Sequence, residues 1–429
     1  MLERLFDLQG HGTDVRTELL AGITTFLTMA YIAFVNPAIL SAAGMDFGSV
    51  FVATCVAAAL GTLIMGLYAN YPIALAPGMG LNAFFAYGVV LGLGHSWQVA
   101  LGAVFVAGVL FVVLSVLPVR EWIINAIPQS LKLAISAGIG LFLAFIALKN
   151  AGIVVDHPAT LVSMGDLGAP GAYLALAGFV AITALYYRRV PGAVIIGILA
   201  VTTIGIFLGV SEFKGIAALP PSPMPTLLAM DVAGALNLAL ASVIFTFLFV
   251  DLFDTAGTLI GVAHRARLLD ALGRLPRLKR ALIADSTATV IGAALGTSPV
   301  TSYIESAAGT NVGGRTGLTA VVVAAAFLLC LFFAPLAETV PGYATAPALL
   351  FVACLMTRGL AELPWDDTTE CVPGVLAAIA MPLTFSIADG IGLGFVSYAL
   401  IKILSGRFAE CSPAVMVISI LFVIKFVLA

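Results

Sequence analysis

Between two strongly apolar runs, Gly296 to Gly317 reads GTSPVTSYIESAAGTNVGGRTG. Pro299, Glu305, several hydroxyls and many glycines interrupt a region otherwise apolar enough to sit in a membrane. Hydrocarbon offers no partner to a freed backbone group or an ionised carboxylate, so such a segment must line a protein-enclosed cavity. Composition supports that setting. Of 429 residues, 61% are hydrophobic and 10% charged, against about 25% charged in a soluble domain. Apolar runs of roughly 17–25 residues recur and suffice to cross a bilayer. Met1 to Glu18 is charged throughout, so no cleavable signal peptide is expected.

The expected spans are 17–40, 50–69, 71–92, 97–117, 131–148, 171–187 and 191–210, then 232–262, 281–295, one within 296–317, 318–337, 343–357, 371–386 and 390–404. Amphipathic connectors are expected at 120–130 and 358–370, and an extended, Pro-rich linker at 211–231. A last apolar helix, 413–428, reads either as a fifteenth span or as an interfacial helix. With the N-terminus inside, the cytoplasmic ends collect Arg4, Arg16, Arg120, Lys132, Arg188, Arg189, the basic run from Arg265 to Arg280 (with Arg274), Arg315, Arg358, Lys402 and Arg407. The outside receives Lys149 and Lys214, which fits the positive-inside rule. The basic run is therefore a topology signal rather than a nucleic-acid surface. The five cysteines are scattered without metal spacing and read as reduced packing residues. No metal and no cofactor are expected.

The two halves of the chain echo each other. The third span breaks at Pro77, with Asn82 following; the tenth breaks at Pro299, with Glu305 following. Thr25-Phe26-Leu27 in the first span matches Thr246-Phe247-Leu248 in the eighth. Seven spans per repeat is odd, so the second copy must be inverted. Inverted repeats with paired broken helices point to a secondary transporter with its site at the repeat interface.

The eighth span places Asp251, Asp254, Thr255 and Thr258 at i, i+3, i+4 and i+7, on one helical face. An aspartate at mid-membrane costs about 2.5–3.5 kcal/mol on insertion scales. No Lys, Arg or His lies mid-membrane to pair with these acids. A cluster of Asp251, Asp254 and Glu305 with the amide of Asn82 suits a neutral ligand rich in N–H donors, or a cation, rather than an anion. Buried carboxylates near one another also carry protons, so Asp251, Asp254, Glu305 and Asp285 are the candidates for proton coupling. Asp285 has a second reading, as a partner of Arg280 or Lys279 in the adjoining basic loop. Backbone N–H groups where a half-helix begins, near Gly80 or beside Thr301 and Ser302, can meet the carbonyls of a planar ligand. Phe84, Phe85 or Phe247 can stack on its face. Gly309–Thr316 mimics a phosphate-binding loop but follows a membrane span rather than a strand, and is read as the close-packed exit of the half-helix. An intramembrane aspartyl protease would carry its aspartates on separate helices, unlike Asp251 and Asp254.

The segments TTFLTMAYIAFVNPAIL, ALAPGMGLNAFFAYGVV, VDLFDTAGTLIGVA, GTSPVTSYIESAAGTNVGGRTGLTA and AMPLTFSIADGIGLGFVSYALIKI resemble the AzgA-like purine permeases of the nucleobase–ascorbate transporter superfamily. The resemblance implies an all-α polytopic fold of seven plus seven inverted spans, with short strands in spans three and ten. It implies a core domain from 1–118 and 232–337 and a gate domain from 119–210 and 338–406, joined by an extracellular linker at 211–231, with 407–429 as an added C-terminal helix. It implies proton-coupled uptake of adenine, guanine or hypoxanthine across the cytoplasmic membrane, often by a homodimer. Its substrate-contacting positions fall on Glu305, Asn82 and one of Asp251 and Asp254, the other handling the proton. The competing readings are a carrier of another planar or anionic solute such as uracil or xanthine, and a channel or membrane enzyme.

Overall fold

The computed structural model of the chain describes residues 2–117, 127–237, 240–270 and 275–428. Arg120 with the 120–126 part of the expected connector, and Arg274, lie outside the described residues. Span one is bent: α1 (Val15–Met29) hands over to α2 (Ile32–Ala42) through Ala30 and Tyr31. Asp14 caps α1 by accepting from the Thr17 N–H at 2.8 Å. Pro37, inside α2, lacks an N–H and crowds the preceding turn, which weakens helix continuity toward that joint. Helix α3 (Phe47–Ile64) widens into a π-turn at Met65–Ala69. Asn70, in the left-handed region at φ 53°, then turns the chain back into β1 (Leu75–Pro77). Helix α4 starts at Met79–Ala83 and widens through Phe84–Gly92; α5 is Trp97–Val116.

Next come α6 (Gln129–Asn150), a hairpin of β2 (Val154–His157) and β3 (Leu161–Met164), α7 (Pro170–Tyr187) and α8 (Ala193–Phe207). The hairpin was not expected; its strands are short and mostly exposed, although Pro158 marks the turn between them. The 211–231 linker is not free of the bundle. Leu228 N–H donates to the Ala294 carbonyl at 2.7 Å, and Asp231 N–H to that of Gln98 at 2.9 Å.

The eighth span begins later than expected. Val232–Ala235 is a separate short helix, and the membrane helix is α9 (Ala241–Arg265). Asp231 caps the short helix through the Gly234 N–H, fixing a start that apolar content alone did not mark. Helix α10 (Leu278–Leu295) ends at Gly296, whose φ of 97° turns the chain into β4 (Val300–Ser302). Helix α11 (Ser306–Val312) and α12 (Gly317–Cys330) follow, then α13 (Gly342–Met356), α14 (Thr368–Thr384) and α15 (Ile387–Leu404). Among the described residues, nine helical stretches are long and apolar enough to cross a membrane, and shorter apolar helices add to them.

Strands β1 and β4 pair antiparallel at the centre, Leu75 opposite Ser302, Ala76 opposite Thr301 and Pro77 opposite Val300. Around them α1 to α5 pack with α9 to α12, while α6 to α8 pack with α13 to α15. The groups meet where Gly80 abuts Ile139 so closely that a Cβ would lie 2.3 Å from its Cγ2. They meet again where the Phe249 and Phe395 rings lie 5.6 Å apart.

The final helix, α16 (Pro413–Leu428), lies lengthwise along α15. Ser419 donates to the Phe395 carbonyl at 2.8 Å, Phe422 covers Gly392, and Lys425 pairs with Asp389 at 2.6 Å. These contacts step in opposite directions along the two helices, so the pair is antiparallel. An interfacial helix would instead cross the end of the span.

Candidate functional site

The crossing strands are pinned by one residue that the motif reading passed over, Asn36 of α2. Its Nδ2 donates to Thr54 Oγ1 at 2.7 Å and to Thr297 Oγ1 at 2.8 Å. Its Oδ1 accepts from Asn82 Nδ2 at 3.0 Å and from Ser298 at 3.3 Å. Both donors and both lone pairs of this buried amide are thus used. Asn82, also buried, keeps its own Oδ1 without a partner. The network ends on Thr54, Thr297 and Ser298, so among the described residues no hydrogen bond joins Asn82 to the acids. An Asn-Pro pair inside an apolar run was the available signal for Asn36.

The two half-helices present different groups. In α11, Ser306, Ala307 and Ala308 spend their N–H groups on the carbonyls of Tyr303, Ile304 and Glu305. In α4, Asn82 N–H bonds the Gly78 carbonyl, while Met79, Gly80 and Leu81 make no backbone N–H bond among the described residues. Open N–H donors therefore lie around Gly80, and just past Thr301 and Ser302 the N–H of Ile304 likewise makes no backbone bond among the described residues.

The four acids separate into two pairs. Three residues along a helix turn a side chain by about 60° from its starting direction, so Asp251 and Asp254 share a broad face but point apart. Asp251 turns inward, 2% exposed, toward α10. Asp254 is accessible to solvent and stands within electrostatic range of Glu305 and Tyr303. Glu305 is half-buried where α11 begins. Tyr31, at the joint of span one, donates its hydroxyl to Glu305 Oε1 at 2.7 Å. Tyr303 donates its hydroxyl to the Pro77 carbonyl, which fixes its ring beside this outer pair. Neither tyrosine was singled out from sequence, because an aromatic in an apolar run reads as packing.

Asp285 joins the inner group. Its oxygens accept from Thr255 and Ser302, each at 2.7 Å, and it is fully buried. The pairing with Arg280 or Lys279 is overturned, because α10 extends to Leu278 and places Asp285 two turns inside the helix. Arg280 instead covers the Tyr68 ring, and Arg277 the Tyr71 ring. Thr301 Oγ1 contacts Thr255 Oγ1 at 2.9 Å, and Thr289 bonds Asp251 Oδ2 at 2.9 Å. Thr258 is buried one turn beyond Thr255. Phe247 is enclosed, 5.0 Å from the Phe84 ring, so these two aromatics pack on each other.

Beyond the acids, the glycine-rich exit is packed without room for side chains. A Cβ on Gly317 would lie 1.8 Å from the Gly66 carbonyl oxygen. Arg315 donates to the carbonyls of Thr310 and Gly314, closing the end of α11. Buried Glu18 of α1 accepts from Arg315 N–H at 2.8 Å, Thr319 N–H at 3.1 Å and the Thr319 hydroxyl at 2.6 Å, capping α12. Every feature of the phosphate-loop mimic is thereby used in packing.

A family described as a permease family matches residues 16–393. The adenine permease AdeP of Escherichia coli is 52% identical over 427 residues, spanning 100% of this chain and 96% of that protein. The guanine/hypoxanthine permease PbuO of Bacillus subtilis is 46% identical over 429 residues, spanning 98% of this chain and 99% of its own length. Among solved structures, the transmembrane domain of the cyanobacterial bicarbonate transporter BicA superposes with a TM-score of 0.66 at 17% identity, over 89% of this chain and 97% of that one. The anion transporter SLC26A9 superposes at 0.65 and 11% identity, over 91% of this chain and 66% of that one. These structural likenesses establish the inverted seven-plus-seven fold.

Proposed function

We propose, from the premise that this chain belongs to the permease family, that it carries purine nucleobases across the cytoplasmic membrane together with protons. The observation that carries this reading is the outer acid pair. Asp254 and Glu305 stand together where the two discontinuous spans cross, with no ion pair to a cation among the described residues. Tyr31 occupies Oε1 of Glu305 and leaves Oε2 free to accept. A purine offers ring N–H and amino donors to such carboxylates, and ring nitrogens or a carbonyl to donors. The unspent N–H groups around Gly80 answer the second need. Full-length similarity to adenine and guanine/hypoxanthine permeases supports the same ligand class.

Transport follows if the group holding both strands rocks against α6 to α8 and α13 to α15. The seam at Gly80 and Ile139 is the contact that such a motion must slide past. The basic ends mark the cytoplasmic face, with the N-terminus inside. A homodimer belongs to the same proposal. The test is uptake of labelled adenine, guanine and hypoxanthine by cells expressing the chain, with and without a protonophore. Saturable uptake of at least one purine, reduced when the proton gradient collapses, is expected. Well-expressed protein that takes up uracil or xanthine and no other base reassigns the substrate. Protein that takes up none of them contradicts the reading.

A further inference from the structure

The inner pair is short of hydrogen-bond donors in a way that can be counted. Asp285 has a hydroxyl on each oxygen, from Thr255 and Ser302. Asp251 has at most one, because the single proton of Thr289 faces both Asp251 Oδ2 and the Val300 carbonyl, each at 2.9 Å. Asp251 Oδ1 is buried with no partner at all. Thr301 sits beside the Asp251 carboxyl and 2.9 Å from Thr255 Oγ1. Thr255 has one hydroxyl proton. Having given it to Asp285, it must accept from Thr301, which leaves Thr301 an acceptor toward Asp251. An ionised Asp251 would be buried beside a second anion and left with an orphan oxygen, an arrangement that costs several kcal/mol. A proton on Oδ1 neutralises Asp251 and gives it a hydrogen to offer Thr301, a bond that is open in this structure.

We propose that Asp251, Thr301, Thr255 and Asp285 form a two-ended relay that stores one proton behind the substrate site. In one state Asp251 is the acid, and the bonds run from Asp251 to Thr301, to Thr255, to ionised Asp285. In the other state each bond reverses. Asp251 Oδ1 gives its proton to Thr301, Thr301 gives its own to Thr255, and Thr255 gives its own to Asp285. One proton moves and total charge is unchanged. The other charged or titratable groups facing this pair are Asp254 on α9, with Glu305 and Tyr303 of span ten beyond it; no cation pairs with either acid among the described residues. Thr301 lies on β4, so displacement of the strand breaks the relay and links proton position to the state of the discontinuous span.

The relay rests on the proton-coupled reading, and the experiment separates the two. Proteoliposomes bearing wild type, Thr255→Val and Thr255→Ser are assayed for purine accumulation driven by an imposed proton gradient. They are also assayed for purine–purine exchange at equal pH, where no net proton movement is needed. Thr255→Val should lose at least about tenfold in driven accumulation, keep exchange within about twofold, and be rescued by Thr255→Ser. Driven accumulation by Thr255→Val equal to wild type overturns the relay alone. Wild-type accumulation that ignores the proton gradient, or follows a sodium gradient instead, overturns the coupling and the relay with it. Should Thr255→Val lose exchange as well, infrared spectra decide. A protonated-carboxyl band present in wild type and missing in Asp251→Asn upholds the relay, and an unchanged band overturns it.

Discussion

Two clusters of carboxylates in this molecule are built from the same residue types and do opposite things. At the ends of α14 and α15, Glu370 and Glu410 surround Lys402, at 2.7 and 2.8 Å, and Lys402 is fully buried. Arg407 binds Asp367 and Glu410, both at 2.7 Å, while Tyr398 donates to Glu370 at 2.9 Å. Every acid there has its cation. In the central crossing, Asp251, Asp285 and Glu305 have hydroxyl partners, and neither they nor Asp254 makes an ion pair among the described residues. Compensated charge fixes the ends of α14 and α15. Uncompensated charge leaves capacity for a proton or for ligand N–H groups. Chemistry is therefore to be sought where the fold withholds the cation.

The largest effect that sharpens this contrast is expected at the outer pair. Glu305→Gln should lose purine binding by more than about a hundredfold, because a site built to accept N–H groups is left mismatched. Within the central cluster, Asp254→Asn should lose binding. Asp251→Asn should keep binding and lose its pH dependence; identical behaviour of the two variants would erase the distinction between outer and inner pairs. At the Lys402 cluster, Lys402→Met strands the partly buried Glu370 and should destabilise the protein by about 3 kcal/mol, read as a lower melting temperature with purine affinity intact. A loss of affinity without loss of stability would break the comparison from the other side.

A smaller effect is expected at Asp367, which lies outside the spans. Hydrogen bonds from Thr369 and then Arg407 hold its carboxyl down at about 2, from an ordinary 3.8. A depressed carboxylate stabilises the fold above its ordinary value, and that contribution disappears as pH falls toward about 2. Asp367→Asn should therefore slightly lower stability near neutrality and flatten its decline between roughly pH 4 and 2. Melting curves at several pH values check the sign.

Much of this arrangement was legible in the chain, and for a definite reason. A membrane gives irregular backbone and charge a conspicuous cost, so Pro77, Pro299, Glu305 and the two aspartates of α9 stand out against apolar sequence. The strands at 75–77 and 300–302 followed from the family resemblance. What escaped was what depends on relative placement. Asp285 stood between two readings, a proton carrier or a partner of the basic loop, and the helix carries it inward to Thr255 and Ser302. Tyr31 reaches Glu305 across 274 positions. Asn36 is one amide in an apolar run until it meets Asn82 and Thr297. The short helix Val232–Ala235 and the β2–β3 hairpin are set by caps and turns too weak to read beside long hydrophobic segments. The last helix was ambiguous by length, and only its pairing with α15 decides that it lies along a span. A reporter fused after Ala429 should accordingly report the face opposite the one reached by a reporter after Arg407.

The most direct measurement is equilibrium binding of labelled adenine, guanine and hypoxanthine to purified wild type and Glu305→Gln, with melting curves to show that both are folded. Saturable binding of at least one base by wild type, lost in the equally stable variant, is the predicted result. Undiminished binding by Glu305→Gln would contradict the claim that the cation-free acids at the strand crossing hold the purine.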